Sequence, residues 1–152
     1  MIGVATLMLI CGLPGSGKTT LAKRLEIEGP AVRLCADEWM AGLGLDLFDV
    51  ETRVRLERHF WELARRLLTL GQDVILEAGF WLRADRDEKR LGARSLGAAV
   101  ELHYLDVPLD ELARRLEARG TPRITREMLD WHVPLFEPPD PDELNLYDPP
   151  RM

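Results

Sequence analysis

The sequence predicts an α/β domain: a parallel sheet covered by helices on both faces. Short apolar runs of strand length alternate along the chain with longer segments of helical period. A glycine-rich turn, Gly12-Leu13-Pro14-Gly15-Ser16-Gly17-Lys18-Thr19, joins the first such strand to the first such helix. Alternating β and α elements imply parallel strands buried on both sides, with ligands received at the carboxyl ends of those strands.

The elements follow in order. Thr6–Cys11 is an uninterrupted apolar run and reads as a buried strand; a helix follows from about Gly17 to Glu28, and Ala31–Ala36 is the second strand. From Asp49 to Leu70, Val50, Val54, Phe60, Trp61, Ala64, Leu67 and Leu68 recur at helical spacing, and Gly71 ends the run. Asp73–Glu77 is a third buried strand, Arg83–Leu96 a basic helix and Val100–Leu105 a fourth strand. Leu109–Arg119 is a helix with Pro108 at its start, where a missing N–H costs nothing, and Gly120 at its close. Beyond it the pattern loosens through Thr121-Pro122-Arg123-Ile124. A capping-type Thr125-Arg126-Glu127-Met128 then opens a helix to about Phe136, which Pro134 bends or shortens. In the proline-rich tail, 137–152, only Leu144–Tyr147 has the character of a strand, expected to be short or absent.

At 152 residues, 46% hydrophobic and 30% charged, the chain buries one good core, so a single domain over 1–152 is expected. No window approaches the apolar length of a membrane span, and Met1 to Ile10 lacks the basic flank and cleavage site of a leader; a cytoplasmic protein without membrane contact is the expectation. The net charge of −6 argues against wrapping long nucleic acid, which needs many cation–phosphate contacts. Two local basic clusters, Arg83 to Arg94 and Arg114 to Arg126, leave room for a short oligonucleotide end.

The turn at 12–19 has the Walker A spacing in its required strand–loop–helix setting, which makes it a nucleoside-triphosphate site. Its glycines allow the backbone N–H groups to surround the β-phosphate. Lys18 reaches the β/γ oxygens, Thr19 offers a hydroxyl to Mg²⁺, and the following helix, from Thr20 onward, aims its positive end at the same anion. Asp37 follows the second strand at the same sheet edge. A carboxylate there accepts the proton of an attacking hydroxyl, an effect worth about 10²–10⁴ in rate, or caps the Glu38-Trp39-Met40 turn. Glu38 is the weaker alternative, since neighbouring side chains diverge. Glu77 ends the third strand in the manner of a Walker B carboxylate, placed to hold Mg²⁺ or orient Thr19; the plainer alternative is a cap for Ala78-Gly79.

Arg115 and Arg119 share one helical face, with Arg114, Arg123 and Arg126 close by. They read either as a lid that neutralises a transferring phosphate or as solvated partners of Asp110, Glu111 and Glu117. His59, His103 and His132 show no metal-ligand spacing and read as structural. Among the aromatic residues Trp39, Phe80 and Trp81 lie where an acceptor would sit, and are candidate pocket walls as well as packing residues.

Together, Gly12–Thr20, Asp37 and the run Val107-Pro108-Leu109 leading to Arg115-Leu116-Glu117-Ala118-Arg119-Gly120 resemble the small P-loop kinases. That group includes polynucleotide 5′-hydroxyl kinase domains, chloramphenicol phosphotransferase and zeta-toxin-like enzymes, and the resemblance runs from about Leu7 to Pro138. It implies a three-layer P-loop fold with a sheet of four to five strands in the order 2-3-1-4-5 and a helical lid at about 114–136. It also implies ATP and Mg²⁺ as cofactors, Asp37 as general base, Lys18 and Thr19 as triphosphate and Mg²⁺ ligands, and Arg115 and Arg119 as lid arginines. In that order the strands ending in Cys11 and Cys35 are not neighbours, so no disulfide is expected.

Two departures bear on the acceptor. Where polynucleotide kinases carry an arginine three residues after the catalytic Asp, this chain has Met40, and the third strand runs out into aromatic residues, Phe80-Trp81. Both favour a small organic hydroxyl compound, such as an antibiotic, a sugar derivative or a metabolite, over a DNA or RNA end. The expected activity is transfer of the ATP γ-phosphate to that hydroxyl, with no obligate protein partner. The alternatives are a polynucleotide 5′-hydroxyl kinase, for which Arg83, Arg86, Lys89, Arg90 and Arg94 would flank the acceptor, and a nucleotide-binding switch or regulatory ATPase.

Overall fold

A computed structural model describes residues 4–120 and 124–150. Its centre is β1 (Thr6–Cys11), whose six residues are all buried. The strand lies between β3 (Asp73–Glu77) and β4 (Ala99–Tyr104), with β2 (Ala31–Cys35) outside β3, so the order is β2-β3-β1-β4 and every pairing is parallel. Register brings Leu9 opposite Leu76 on one side and Leu102 on the other. A strand covered on both faces needs no polar alternation, which is why β1 reads as a continuous apolar run.

Alternate residues of β1 serve different layers. Leu7, Leu9 and Cys11 join the core beneath α3 (Val50–Thr69) and α4 (Arg83–Ser95), while Met8 and Ile10 pack with Ala22 and Leu25 of α1 (Lys18–Glu28). In α3 the buried residues Phe60, Ala64 and Leu68 recur every four positions along one face, and Asp49 caps its start by accepting from the Thr52 N–H at 3.1 Å. Val50 and Val54, counted with that apolar face from their spacing, are exposed. A third cluster joins α5 (Leu109–Arg119) to α6 (Arg126–His132) through Leu112, Leu116 and Leu129 and reaches Leu13 of the glycine-rich loop. Thr125 caps α6, accepting from the Met128 N–H. The helix ends at His132, short of Phe136, because Pro134 enters a 3₁₀ turn over Val133–Leu135.

Among the described residues the sheet has four strands; the fifth of the 2-3-1-4-5 order is not formed. Asp140 and Pro141 are a helix cap and first-turn pair, so Leu144 closes a helical turn, α7 (Pro141–Leu144), and Leu144–Tyr147 is not a strand. A bridge between Glu101 and Asp148 covers part of the free edge of β4, and the Asp148 carboxylate accepts from the Val100 N–H at 2.8 Å. Cys11 and Cys35 are buried free thiols on strands separated by β3. No helix among the described residues is long and apolar enough to cross a membrane.

Candidate active site

The loop after β1 doubles back because Gly15 and Gly17 take positive φ, 85° and 98°, where a side chain is strained. The Ser16 N–H donates to the Leu13 carbonyl at 3.2 Å, closing the turn. Gly17 starts α1 with no side-chain cap, so the first-turn N–H groups around Thr19 and Thr20 keep their donors for an anion. Ser16 Oγ is buried without a hydrogen-bond partner among the described residues. Uncapped donors, an orphaned hydroxyl and a lysine converge on one cradle, and that donor set fits a polyphosphate. Lys18 Nζ lies in the loop, donating to the Gly12 and Leu13 carbonyls at 3.1 and 3.0 Å.

The carboxyl ends of β2 and β3 supply the acidic side of the cradle. Glu77 accepts from Thr19 Oγ1 at 2.6 Å, from Arg33 Nε at 2.9 Å and from the Cys35 thiol at 3.3 Å. Its side chain therefore joins α1 to β2 instead of capping Ala78-Gly79. Thr19 and Glu77, joined by that hydrogen bond, are the residues that would hold Mg²⁺ were it bound. So few protein oxygens suit an ion that draws most of its ligands from phosphate and water. Among the described residues no cluster of three His, Cys, Asp or Glu side chains forms a separate metal site. Arg33, an arginine within an otherwise apolar strand, also binds the exposed Glu38 at 2.7 Å.

Asp37 stands in the first turn of α2 (Ala36–Gly42), whose cap position is Cys35, so its carboxylate is not used as a cap. It is exposed and paired with Arg53 of α3 at 2.5 Å. Met40 is fully buried, so its side chain belongs to the core and faces no acceptor.

Opposite these acids, α5 lies against the loop: a Cβ placed on Gly15 would come within 3.0 Å of Leu116 Cγ. That contact brings Arg115 Nη1 within 3.4 Å of the Gly15 and Ser16 carbonyls, while its Nε binds Glu111. Arg114 turns outward to Glu111, and Arg126 to Asp130 and Asp110. Thr121, Pro122 and Arg123 lie outside the described residues. Burial lowers the Lys18 ammonium to about 8 against the upward pull of Glu77 and then Asp37, with Arg119 adding a smaller downward push.

Beside Glu77 a cavity of about 520 Å³ opens between α3 and α4, within the size range of small-ligand sites. Its walls include Phe60, Trp61 and Phe80. Phe80 takes φ of 50°, a strained value for a residue with a side chain, and its carbonyl accepts from Arg86 at 2.8 Å and from the Cys11 thiol at 3.5 Å. Trp39 packs edge-on against Phe60, ring centroids 5.1 Å apart, but is itself exposed and does not line the cavity. Trp81 is turned the other way, its indole N–H donating to the Gly12 carbonyl at 3.2 Å, so it buttresses the loop and does not line the cavity. Trp61 and Glu57 do line it, and spacing alone, which assigned Trp61 to the core, did not separate them from their neighbours.

The basic face expected of α4 is paired with carboxylates. Arg83 pairs with Asp87, Arg86 with Glu143, Lys89 with Glu88, Arg90 with Asp87 and Arg94 with Asp148. His103 pairs with Glu101 within β4, His59 lies near Glu62 on α3, and the His132 ring packs on Trp81.

A 2-3-1-4 parallel sheet with a Walker A loop at its centre and acids at the neighbouring strand ends defines a P-loop nucleotide-binding domain. Residues 7–139 match the AAA domain family, and the chain belongs to it. It is similar to the bifunctional enzyme NodQ of Azospirillum brasilense, 33% identical over 145 residues; the match covers 89% of this chain and 23% of that protein, so the chain spans about a quarter of that relative's length. Among solved structures it resembles a sugar kinase from Janibacter sp. HTCC2649, with TM-score 0.68 and 26% identity over 93% of this chain and 82% of the other. The fold is also that of a chain in the Pnkp1/Rnl/Hen1 RNA repair complex, with TM-score 0.72 and 23% identity over 89% of this chain and 45% of that one.

Proposed function

We propose that this chain is an ATP-dependent phosphotransferase that moves the γ-phosphoryl group to a hydroxyl of a small molecule. The observation that carries the reading is the Walker A loop, with Lys18 folded into it and Thr19 bound to Glu77, beside a cavity that Glu77 also lines. The acceptor oxygen attacks the γ-phosphorus as the bond to the bridging oxygen of ADP breaks, and the hydroxyl proton passes to Asp37. Arg53 holds that carboxylate in place. Lys18, Arg115 and Arg119 neutralise charge on the transferring group, and Mg²⁺, when bound, adds to that neutralisation. Thr19 is kept in position by Glu77.

A sugar kinase among the structural relatives supports a hydroxyl acceptor of small size. A nucleic-acid end is less well served, because Arg86, Arg90 and Arg94 are all paired with carboxylates. The test is ADP release from Mg²⁺-ATP against a panel of hydroxyl compounds and a 5′-hydroxyl oligonucleotide. Asp37→Asn is expected to lower acceptor-dependent turnover by about 10²–10⁴ while nucleotide affinity stays within a few-fold. Retained turnover in that variant removes Asp37 as base. Stimulation by the oligonucleotide alone replaces this reading with a polynucleotide kinase, and indifference to every acceptor replaces it with a nucleotide switch.

A further inference from the structure

The charges around the cavity are unequal. Of the carboxylates that line it, Glu77 is held by Arg33 and Thr19, and Glu88 by Lys89. Glu57 and Asp85 make no side-chain hydrogen bond or ion pair among the described residues, although Glu57 is half-buried on the inner part of α3. Of the cations, Lys89 is bound to Glu88 and sits 5.3 Å over the Trp61 ring, which leaves Arg58, exposed at the rim, as the one lining cation without a carboxylate partner among the described residues. The neighbouring arginines Arg53 and Arg33 are bound to Asp37, and to Glu38 and Glu77.

A carboxylate, sulfate or phosphate on the acceptor would meet Glu57 and Asp85 with one rim arginine in compensation. A neutral polyol would satisfy hydrogen bonds and leave the charge. An ammonium group does both, since a charge-assisted hydrogen bond is about twice as strong as a neutral one. The aromatic walls Phe60, Trp61 and Phe80 suit the apolar face of a ring.

We propose that the acceptor carries an amine as well as the reacting hydroxyl: an amino sugar or amino-cyclitol whose ammonium binds Glu57 and Asp85 and whose ring lies on Phe60, Trp61 and Phe80. This assignment rests on the phosphotransferase reading above and names its substrate class. Burial raises the proton affinity of the Glu57 carboxyl, opposed first by Arg53 and then by Lys89, with Asp37 and Asp85 adding smaller upward pushes.

The experiment uses matched acceptors: glucosamine with glucose, 2-deoxystreptamine with inositol, and gluconate as the anion. Phosphoryl transfer from Mg²⁺-ATP is measured by ADP release and product mass. Binding to the protein loaded with a non-hydrolysable ATP analogue is measured by calorimetry. At least one amine-bearing member is expected to exceed its amine-free partner by about tenfold or more in kcat/KM and in affinity, and Glu57→Gln with Asp85→Asn brings that ratio toward one. Transfer to glucose, inositol or gluconate without an amine preference overturns the amine assignment and leaves the transferase standing. A preference that survives in the double variant also overturns it, since the attraction then comes from the protein's overall negative charge. Amine-selective binding lost in the variant, with no transfer to any compound, sinks the transferase reading and retains the cavity's selectivity. Neither binding nor transfer with any of the five overturns both.

Discussion

The chemistry of Glu57 departs from its position in the sequence. It sits among charged neighbours on a helix, yet the fold half-buries it with no hydrogen bond among the described residues. Its carboxyl pKa is raised mainly by desolvation, so the folded chain keeps that proton to higher pH than the unfolded chain does. Stability is then fully present below the ordinary value of 4.5 and falls as pH rises through the raised folded pKa. Glu57→Gln is expected to melt higher than the parent at pH 7 and to lose this part of the pH dependence, as read by thermal unfolding between pH 4 and 8. At the same scale, Lys18, Thr19 and Glu77 were legible because a motif and a strand end specify them. Arg33 left a clue, since a charge inside an apolar strand requires partners when buried. Arg53, the partner of Asp37, left none, because its spacing on α3 is that of any solvated arginine.

Elements meet at the glycine-rich loop from two sides. Leu116 of α5 rests on Gly15, and Trp81, after β3, donates to the Gly12 carbonyl. Leu116 is 3% exposed, so truncation to Ala is expected to cost about 2–5 kcal/mol and to release the helix that carries Arg115 and Arg119. Urea unfolding reads the first effect and a raised KM for ATP the second. Trp81→Phe keeps the aromatic packing and removes one neutral hydrogen bond, worth about 0.5–1.5 kcal/mol. The expected result is weaker nucleotide binding with acceptor KM little changed. A larger effect on acceptor KM would return Trp81 to the cavity wall. Periodicity placed the loop, α5 and the turn after β3 correctly in order, but both aromatic residues of Phe80-Trp81 looked alike as pocket walls. The positive φ of Phe80 sends them to opposite sides.

Across the whole molecule, the tail is tied to the site by a buried ion pair. Arg86, with no exposed surface, makes two hydrogen bonds to Glu143 of α7, at 2.7 and 2.9 Å, and a third to the Phe80 carbonyl. The Glu137 N–H donates to the Trp81 carbonyl at 2.7 Å, so the segment after α6 closes over the turn that shapes the cavity. Glu143→Ala leaves a buried guanidinium without its counter-charge and is expected to destabilise by about 3–5 kcal/mol. Arg86→Met with Glu143→Leu should recover much of that stability in denaturant titration. The double variant still loses the Arg86 bond to Phe80, so its acceptor KM is expected to rise even where folding is restored.

By itself the sequence determined the α/β alternation, the phosphate loop and the acidic ends of the second and third strands. Those features depend on local periodicity and on residue types at short spacing, which neighbours along the chain suffice to define. Only the tertiary structure decided that the tail forms a helical turn instead of a fifth strand, that the basic face of α4 is neutralised, and that Glu57 and Asp85 face a cavity without side-chain partners among the described residues. Each of those outcomes depends on which groups from distant segments meet. A charge's effect is set by the partners and burial it finds after folding, and side-chain spacing in the sequence carries no record of them.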